Sequence, residues 1–495
     1  MKKLLALLLV LCTLVGLVAC GGKKDDSTAG NNTTPTSGSS TTDPTGGSAT
    51  EDPHLTVTPE TSPYKGKTLQ LYGFGSADSY TDYSIFGKGN YLWMMKAAVD
   101  EWAAINGVTI EYKSSYNQAQ ILASMTSGDK PDMVMTSNNF PSIANVGIST
   151  AFTEAEYNKL AAICDEAYLN AMMFKGSPHG FVLPWTGSMM LYYNKTMFEN
   201  YGVKTPKEYY MDGEWTWDNY LKCLEAVTKD IDSDGTIDTY GDHGNSYTRL
   251  LQYPQQMNDK GELISILEEP IVQDFIELKY NAYSKKYVYT TGSARIQKNV
   301  TYPMYAMQIS DCEPYNFEHM YQTIPNGDEL EVVPIPAWDG DKEENKGYSL
   351  VTQSSVFMIS TCDERDATVD LMAYILKVGL KYVSDFSLGA VECDYVGMQG
   401  KSELSKTWKE NFATVCADRA AAVKEIENYD AELVAKINKQ LSESKIFVNM
   451  NMTSFKAIDQ YSEITKLPPA SSIPVIKAKY EAAIKTYNDT YITAN

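Results

Sequence analysis

Between Thr68 and Met135 the apolar residues switch back and forth between strand and helix periodicity, and this alternation limits the architecture more than any other feature of the chain. Thr68 to Tyr72 alternates as a strand does, and Leu92 to Ile105 carries apolar residues at helical spacing. Val108 to Tyr112 reads as a second strand, Ala119 to Met125 as a short helix and Met133 to Met135 as a third strand. Strand–helix–strand alternation implies crossover connections and a mainly parallel sheet covered on both faces. In such sheets ligands bind beyond the carboxyl ends of the strands, so the loops Tyr72 to Ser76 and Ser137 to Phe140 become site candidates.

Length sets a second limit. The clustered aromatic, Met and aliphatic residues run from Ser62 almost to Asn495, about 430 residues, too many for one core, so two or more domains are expected. Upstream, Lys2 and Lys3 precede an apolar run from Leu4 to Val18, then Ala19 and Cys20, the layout of a secretory signal over residues 1–19. The run is shorter than the roughly 20 residues a membrane-spanning helix needs, and no second run of that length follows. Leu17-Val18-Ala19-Cys20 resembles the bacterial lipobox, whose cysteine becomes the first residue after cleavage and carries a diacylglyceryl group. Two acyl chains suffice for stable anchoring. An ordinary signal peptide that contains a cysteine is the other reading. Residues 21–62 hold no aromatic residue and are dominated by Gly, Ser, Thr, Asp, Asn and Pro, so they bury too little apolar surface to offset their ordering entropy. Residues 20–62 are thus expected to be a lipid-anchored flexible linker of about 35 Å root-mean-square span, placing the body at the outer face of the cell membrane.

Charge and cysteine usage exclude several classes. The net charge of -21 opposes nucleic acid or an anionic lipid surface as a partner, and favours a neutral or cationic ligand. Setting aside Cys12 in the signal and Cys20, the cysteines are Cys164, Cys223, Cys312, Cys362, Cys393 and Cys416. None forms a CxxC pair or has His at metal-ligand spacing, which leaves no zinc site and no redox motif. Pairing in an oxidising exterior and buried free thiols both remain open. No GxSxG, P-loop, HExxH or GxGxxG motif occurs, and His54, His179, His243 and His319 are scattered.

Past a helix-like stretch from Glu154 to Met173, the order of segments resembles that of bacterial extracellular solute-binding proteins of the sugar-binding type, the receptors of ABC importers. Gly128, Asp129, Pro131 and Asp132 match a turn before a strand, and Gly180 and Pro184 match a following segment. Tyr192, Tyr193, Asn194, Lys195 and Phe198 come next, with Gly202 and Pro206 behind them. Thr216, Trp217 and Asp218 then mark a helix start, with Thr216 as N-cap and the helix running to Val227. Tyr302 to Met307, the run Val332-Val333-Pro334-Ile335-Pro336, a strand Ser355 to Ile359 and a helix Ala367 to Leu380 continue the match. The resemblance implies an α/β, periplasmic-binding-protein-like fold, in which two lobes of discontinuous sequence are joined by a hinge with the ligand cleft between them. Its expected partition is 63–175 plus about 295–360 in one lobe, and 176–294 plus about 361–495 in the other. It also implies ABC permease subunits as partners, a monomer, and no catalysis.

Asp230-Ile231-Asp232-Ser233-Asp234-Gly235-Thr236-Ile237-Asp238 places oxygens at loop positions 1, 3, 5, 7 and 9, with Gly at 6, as a calcium loop of EF-hand type requires. Asp230, Asp232, Asp234 and Asp238 offer carboxylates and Thr236 its carbonyl, for a structural Ca2+. Position 12 is Gly241 and not Glu, and similar sugar-binding proteins complete such a loop from a distant Glu. A hydrated acidic turn is the competing reading. Sugar pockets combine aromatic platforms with hydrogen-bonding side chains. The candidates near strand ends or lobe crossings are Tyr72, Phe74, Asn138, Asn139, Trp185, Tyr305, Gln308 and Trp338, with Glu392 and Asp394 beside them. Trp93, Trp102 and Trp217 fall at helical spacing, as packing residues do. The expected function is capture of a mono- or oligosaccharide for import. A surface glycan-binding lipoprotein without transport, a receptor for a peptide or amino-acid solute, and a lipid-anchored glycoside hydrolase are the alternatives.

Overall fold

The computed structural model describes residues 56–73, 91–113, 118–136, 140, 142–183, 189–244, 246, 254–258, 262–291, 295–301, 303–311, 323–336, 348–351, 355–385, 397–425, 429–443, 445–448 and 461–491. The alternation read from the sequence is present: β1 Thr68–Tyr72, α1 Tyr91–Asn106, β2 Thr109–Lys113, α2 Gln118–Ser127 and β3 Met133–Thr136. The stretch expected to be helical from Glu154 to Met173 is not one helix. It holds α3 Glu154–Ala161 and a short turn of helix, and at Met173–Phe174 the chain becomes extended. Lys175 (φ 50) and Gly176 (φ 77) then form a two-residue hairpin connection, whose consecutive positive φ angles match the twist of paired strands.

Onward come β4 Gly180–Val182, β5 Met189–Asn194, α4 Lys195–Tyr201, α5 Pro206–Met211 and α6 Trp217–Val227. Next are β6 Thr239–His243, α7 Pro270–Ser284, β7 Val288–Tyr289, β8 Met304–Asp311, β9 Leu330–Pro334 and β10 Ser355–Met358. The C-terminal part is helical, with α8 Arg365–Asp385, α9 Glu403–Glu425, α10 Ala431–Glu443 and α11 Pro469–Tyr491. The segments that carried the resemblance are mostly boundary signals. Asn194 ends β5 and caps α4 by accepting from the Met197 amide at 2.9 Å, and Gly202 (φ 64) closes that helix in the left-handed region. Thr205 and Glu208 form a capping box around Pro206 at the start of α5, and Thr216 caps α6 through the Asn219 amide.

Two five-stranded sheets organise the chain. The first runs β2-β1-β3-β10-β4, with β1, β2 and β3 parallel and β10 antiparallel to both β3 and β4. Strand alternation divides its side chains between two cores. Leu69, Leu71, Met133, Met135, Val356 and Met358 face α1, α8 and α9, where Trp93, Trp102, Tyr382 and Trp408 are buried. Tyr72, Val134, Phe357 and Val182 face the opposite way, onto Ile121, Phe140 and Ile143. Both faces being covered, β3 and β10 read as continuous apolar runs. The second sheet runs β7-β6-β8-β5-β9, with β6 parallel to β7 and β8, and β5 antiparallel to β8 and β9. Its core gathers Tyr192, Tyr193, Trp217, Tyr220, Phe275, Ile276, Met307, Ile476 and Tyr480.

Sheet membership departs from the expected partition. β8 and β9, expected with the first lobe, lie in the second sheet, and β4 belongs to the first. α8 and α9 pack on the first core, whereas Leu433, Val434, Ile437 and the apolar face of α11 pack on the second. An apolar strand carries no sign of which sheet it will complete; β8 joins the second because its edges satisfy β6 on one side and β5 on the other. No helix among the described residues is long and apolar enough to cross a membrane.

Candidate functional site

The chain passes between the sheets after β4, after β9 and again between α9 and α10. The first two crossings fix an orientation. Because β10 is antiparallel to β3 and β4 is antiparallel to β10, the end of β4 and the start of β10 lie at the edge where β1, β2 and β3 have their carboxyl ends. By the same reasoning, the start of β5 and the end of β9 lie where β6, β7 and β8 have theirs. Both crossings therefore join carboxyl edge to carboxyl edge. Val182 and Met189 are seven residues apart, a reach of at most about 25 Å, so the two edges border one space between the lobes. This is the place where open α/β sheets receive ligands.

Three of the residues expected to touch a ligand lie among the described ones, and each has work inside its lobe. Tyr72 ends β1 but is 2 % exposed, with its hydroxyl 2.6 Å from Ser124 Oγ. Asp129 accepts from that same serine at 2.6 Å, and Asp132 accepts from the Gln70 amide at 2.8 Å, so the Gly128–Asp132 turn ties β1 to β3. Burial raises the Asp132 carboxyl above the usual carboxylate range. Tyr305 is buried in β8 against His243, with ring centroids 4.8 Å apart, and burial followed by the Asp242 charge pushes its hydroxyl well up. Gln308 accepts from the Ile296 amide at 2.9 Å. Phe74, Asn138, Asn139, Trp185, Trp338, Glu392 and Asp394 lie outside the described residues, as do Cys20, Cys312 and Cys393. Cys164, Cys223 and Cys362 are free thiols that burial pushes up to about 12, the inert form, and Cys416 is disulfide-bonded.

Sequence reasoning missed a polar cluster at the edge of the second lobe. Asp242, in β6, is fully buried and accepts from the hydroxyls of Tyr220 and Ser246 and from the His243 amide. Burial outweighs those three donors and lifts its carboxyl to about 7. An acid between Gly241 and His243 in an otherwise strand-like run was the available signal.

The acidic loop after α6 is closed by its own side chains. Asp230 accepts from the Gly235 amide at 2.9 Å, Asp232 from the Asp234 amide at 3.1 Å, Asp234 from the Thr236 amide at 2.7 Å and Asp238 from the Ile231 amide at 2.7 Å. Ser233 (φ 64) and Gly235 (φ 90) supply the left-handed residues of the turn. Carboxylate oxygens of Asp230, Asp232 and Asp238 lie within 4.8 Å of one another, a spacing that suits a hard cation. Asp234 is not in that group, and no glutamate joins it among the described residues. Gly241 cannot be exchanged for the usual position-12 acid, because a Cβ there would sit 2.6 Å from Leu224 Cα of α6.

Two α/β lobes of interleaved sequence, crossed by connections at their carboxyl edges, define a binding protein of the periplasmic type. The fold is shared with the cyclic α-maltosyl-1,6-maltose binding protein from Arthrobacter globiformis, at TM-score 0.52 and 13% identity over 85% of this chain and 99% of that one. An uncharacterized protein from Listeria monocytogenes is similar at TM-score 0.51 and 13% identity, over 84% and 99% of the two chains. No curated protein sequence matches significantly. The profile of the bacterial extracellular solute-binding protein family matches residues 89–379, more than half of the chain, and the protein belongs to that family.

Proposed function

We propose that this protein captures a mono- or oligosaccharide between its lobes and presents it to the permease subunits of an ABC importer, from the outer face of the membrane. The observation that carries this reading is the family match across 89–379, a span that contains β2 to β10 and both edge-to-edge crossings. The saccharide class is supported by the likeness of fold to a maltosyl-maltose binding protein and by the aromatic and amide candidates Phe74, Asn138, Asn139, Trp185 and Trp338 in the sequence. A diacylglyceryl group on Cys20 is the proposed anchor, and residues 21–62 its tether. Asp230, Asp232 and Asp238 are the proposed holders of a structural Ca2+, which would neutralise three carboxylates gathered in one turn.

Melting the mature protein against a panel of mono- and oligosaccharides tests the central claim. A solute at a hundred times its Kd adds about 2.7 kcal/mol and should raise the midpoint by a few degrees. Silence across all sugars, with a shift given by peptides or amino acids, would replace the ligand class. Retention on insoluble glycans without a response to short oligomers would favour a surface adhesin instead.

A further inference from the structure

Asp242 occupies a place that an apolar residue would fill without the desolvation penalty of an acid, in the interior of the second sheet. One of its oxygens accepts from the Ser246 hydroxyl and the His243 amide, both at 2.6 Å, and the other accepts from the Tyr220 hydroxyl of α6. Ser246 is buried as completely, and its Oγ accepts in turn from the Ile309 amide of β8 at 2.8 Å. The parallel register between β6 and β8 runs Met304↔Thr239, Tyr305↔Tyr240, Met307↔Asp242 and ends there. A serine oxygen thus stands where a carbonyl of β6 would have continued the ladder. The two strands are linked at that edge by a side-chain relay from α6 through Asp242 and Ser246 to β8.

The relay sits at the switch point of the sheet. Chain leaving β6 proceeds to β7 on one side of the strand order, and chain leaving β8 proceeds to β9 on the other. In an open sheet the ligand crevice lies where such connections part. The Ser246 hydroxyl is fully buried, gives its proton to Asp242 and accepts from the Ile309 amide, so it acts on a ligand only through the main chain that it holds.

We infer that Asp242, acting through Ser246, is a positioning residue of the solute site, fixing the end of β6 against β8 where the crevice opens. The inference rests on reading the interlobe space as a solute site. Other ionisable groups facing Asp242 are Tyr220 from α6, His243 from β6 and Tyr305 from β8, with Tyr289 of β7 beside Tyr305. With its carboxyl lifted to about 7, Asp242 is an anion at pH 8 and both hydroxyls must donate to it; at pH 6 it carries a proton and one of the hydroxyls is released from that role.

The test uses the full mature chain and its variants Ser246→Ala, Asp242→Asn and the double replacement. Hydrogen exchange of the peptide spanning 304–311, without solute, and calorimetric affinity for a saccharide from the melting panel are measured at pH 6 and pH 8. Both single variants should speed exchange at Ile309 and weaken binding about tenfold. The double variant should bind no worse than either single one, since both break the same relay. Wild type should bind several-fold more weakly at pH 6, and Asp242→Asn equally at both. Should Asp242→Asn fail to fold, Ser246→Ala carries the exchange and affinity arms alone. Unchanged Ile309 exchange in Ser246→Ala, or unchanged affinity despite faster exchange, overturns the positioning role while the solute reading stands. A wild-type protein that binds nothing in the panel overturns both.

Discussion

At the scale of single residues, close approach and burial decide what can be exchanged. A Cβ on Gly180 would collide with the Val356 carbonyl of the neighbouring strand, so Gly180→Ala forces β4 away from β10. It should lower stability by roughly 1–3 kcal/mol, read as a lower urea midpoint at unchanged slope. His179, packed edge-on to Phe174 and 3.0 Å from Ser149 Oγ, is held neutral by burial, its pKa lowered from 6.5 to about 4. The unfolded chain takes that proton first as pH falls, so the stability it contributes is full above 6.5 and is lost between 6.5 and 4, by up to about 3 kcal/mol. Asp242 works in the opposite sense. Its raised pKa means the folded state holds the proton longer, and that contribution is lost as pH rises from 3.8 to about 7. The two partly cancel, so the histidine is isolated by comparing His179→Asn with wild type; a difference in stability that does not change between pH 7 and pH 4.5 refutes it. For the acidic loop, a chelator should lower the wild-type melting point by a few degrees and leave Asp232→Asn unmoved.

Elements were legible where local chemistry alone sets their limits. The N-cap at Thr216 and the helix to Val227 appear in the structure as read, because the capping oxygen, the first-turn acid Asp218 and the apolar spacing all sit within one segment. Thr216→Ala should cost about 1 kcal/mol, seen in the denaturation midpoint and absent from a Thr216→Ser control. The Glu154–Met173 stretch misled because a helical spacing of apolar residues records neither the stop of α3 at its C-cap Ala162 nor the extended chain at Met173 that enters the hairpin turned by Lys175 and Gly176. Helical spacing did place Trp93 and Trp102 correctly in a core, but it could not name their neighbours. Trp408 of α9 meets Trp93 of α1 with ring centroids 5.5 Å apart, joining helices about 300 residues apart in the sequence, and is itself packed on Phe412 one turn along α9 at 5.7 Å.

For the whole molecule, the two cores are built from interleaved sequence, so neither lobe can be cut out as one continuous piece. Solute capture by hinge closure predicts that a bound saccharide makes the protein more compact, seen as a smaller radius of gyration in solution scattering. A radius that does not change on saturation would refute closure. The sequence by itself determined the alternating elements of the first lobe, the cap that begins α6, and the acidic turn, since each is settled by neighbours a few residues away. Only the tertiary structure decided that β8 and β9 complete the second sheet, that β4 completes the first, and that Tyr72 and Gln308 are tied inside their lobes. Pairing edges and buried hydrogen-bond partners come from residues distant along the chain, and no local pattern records which of them will meet.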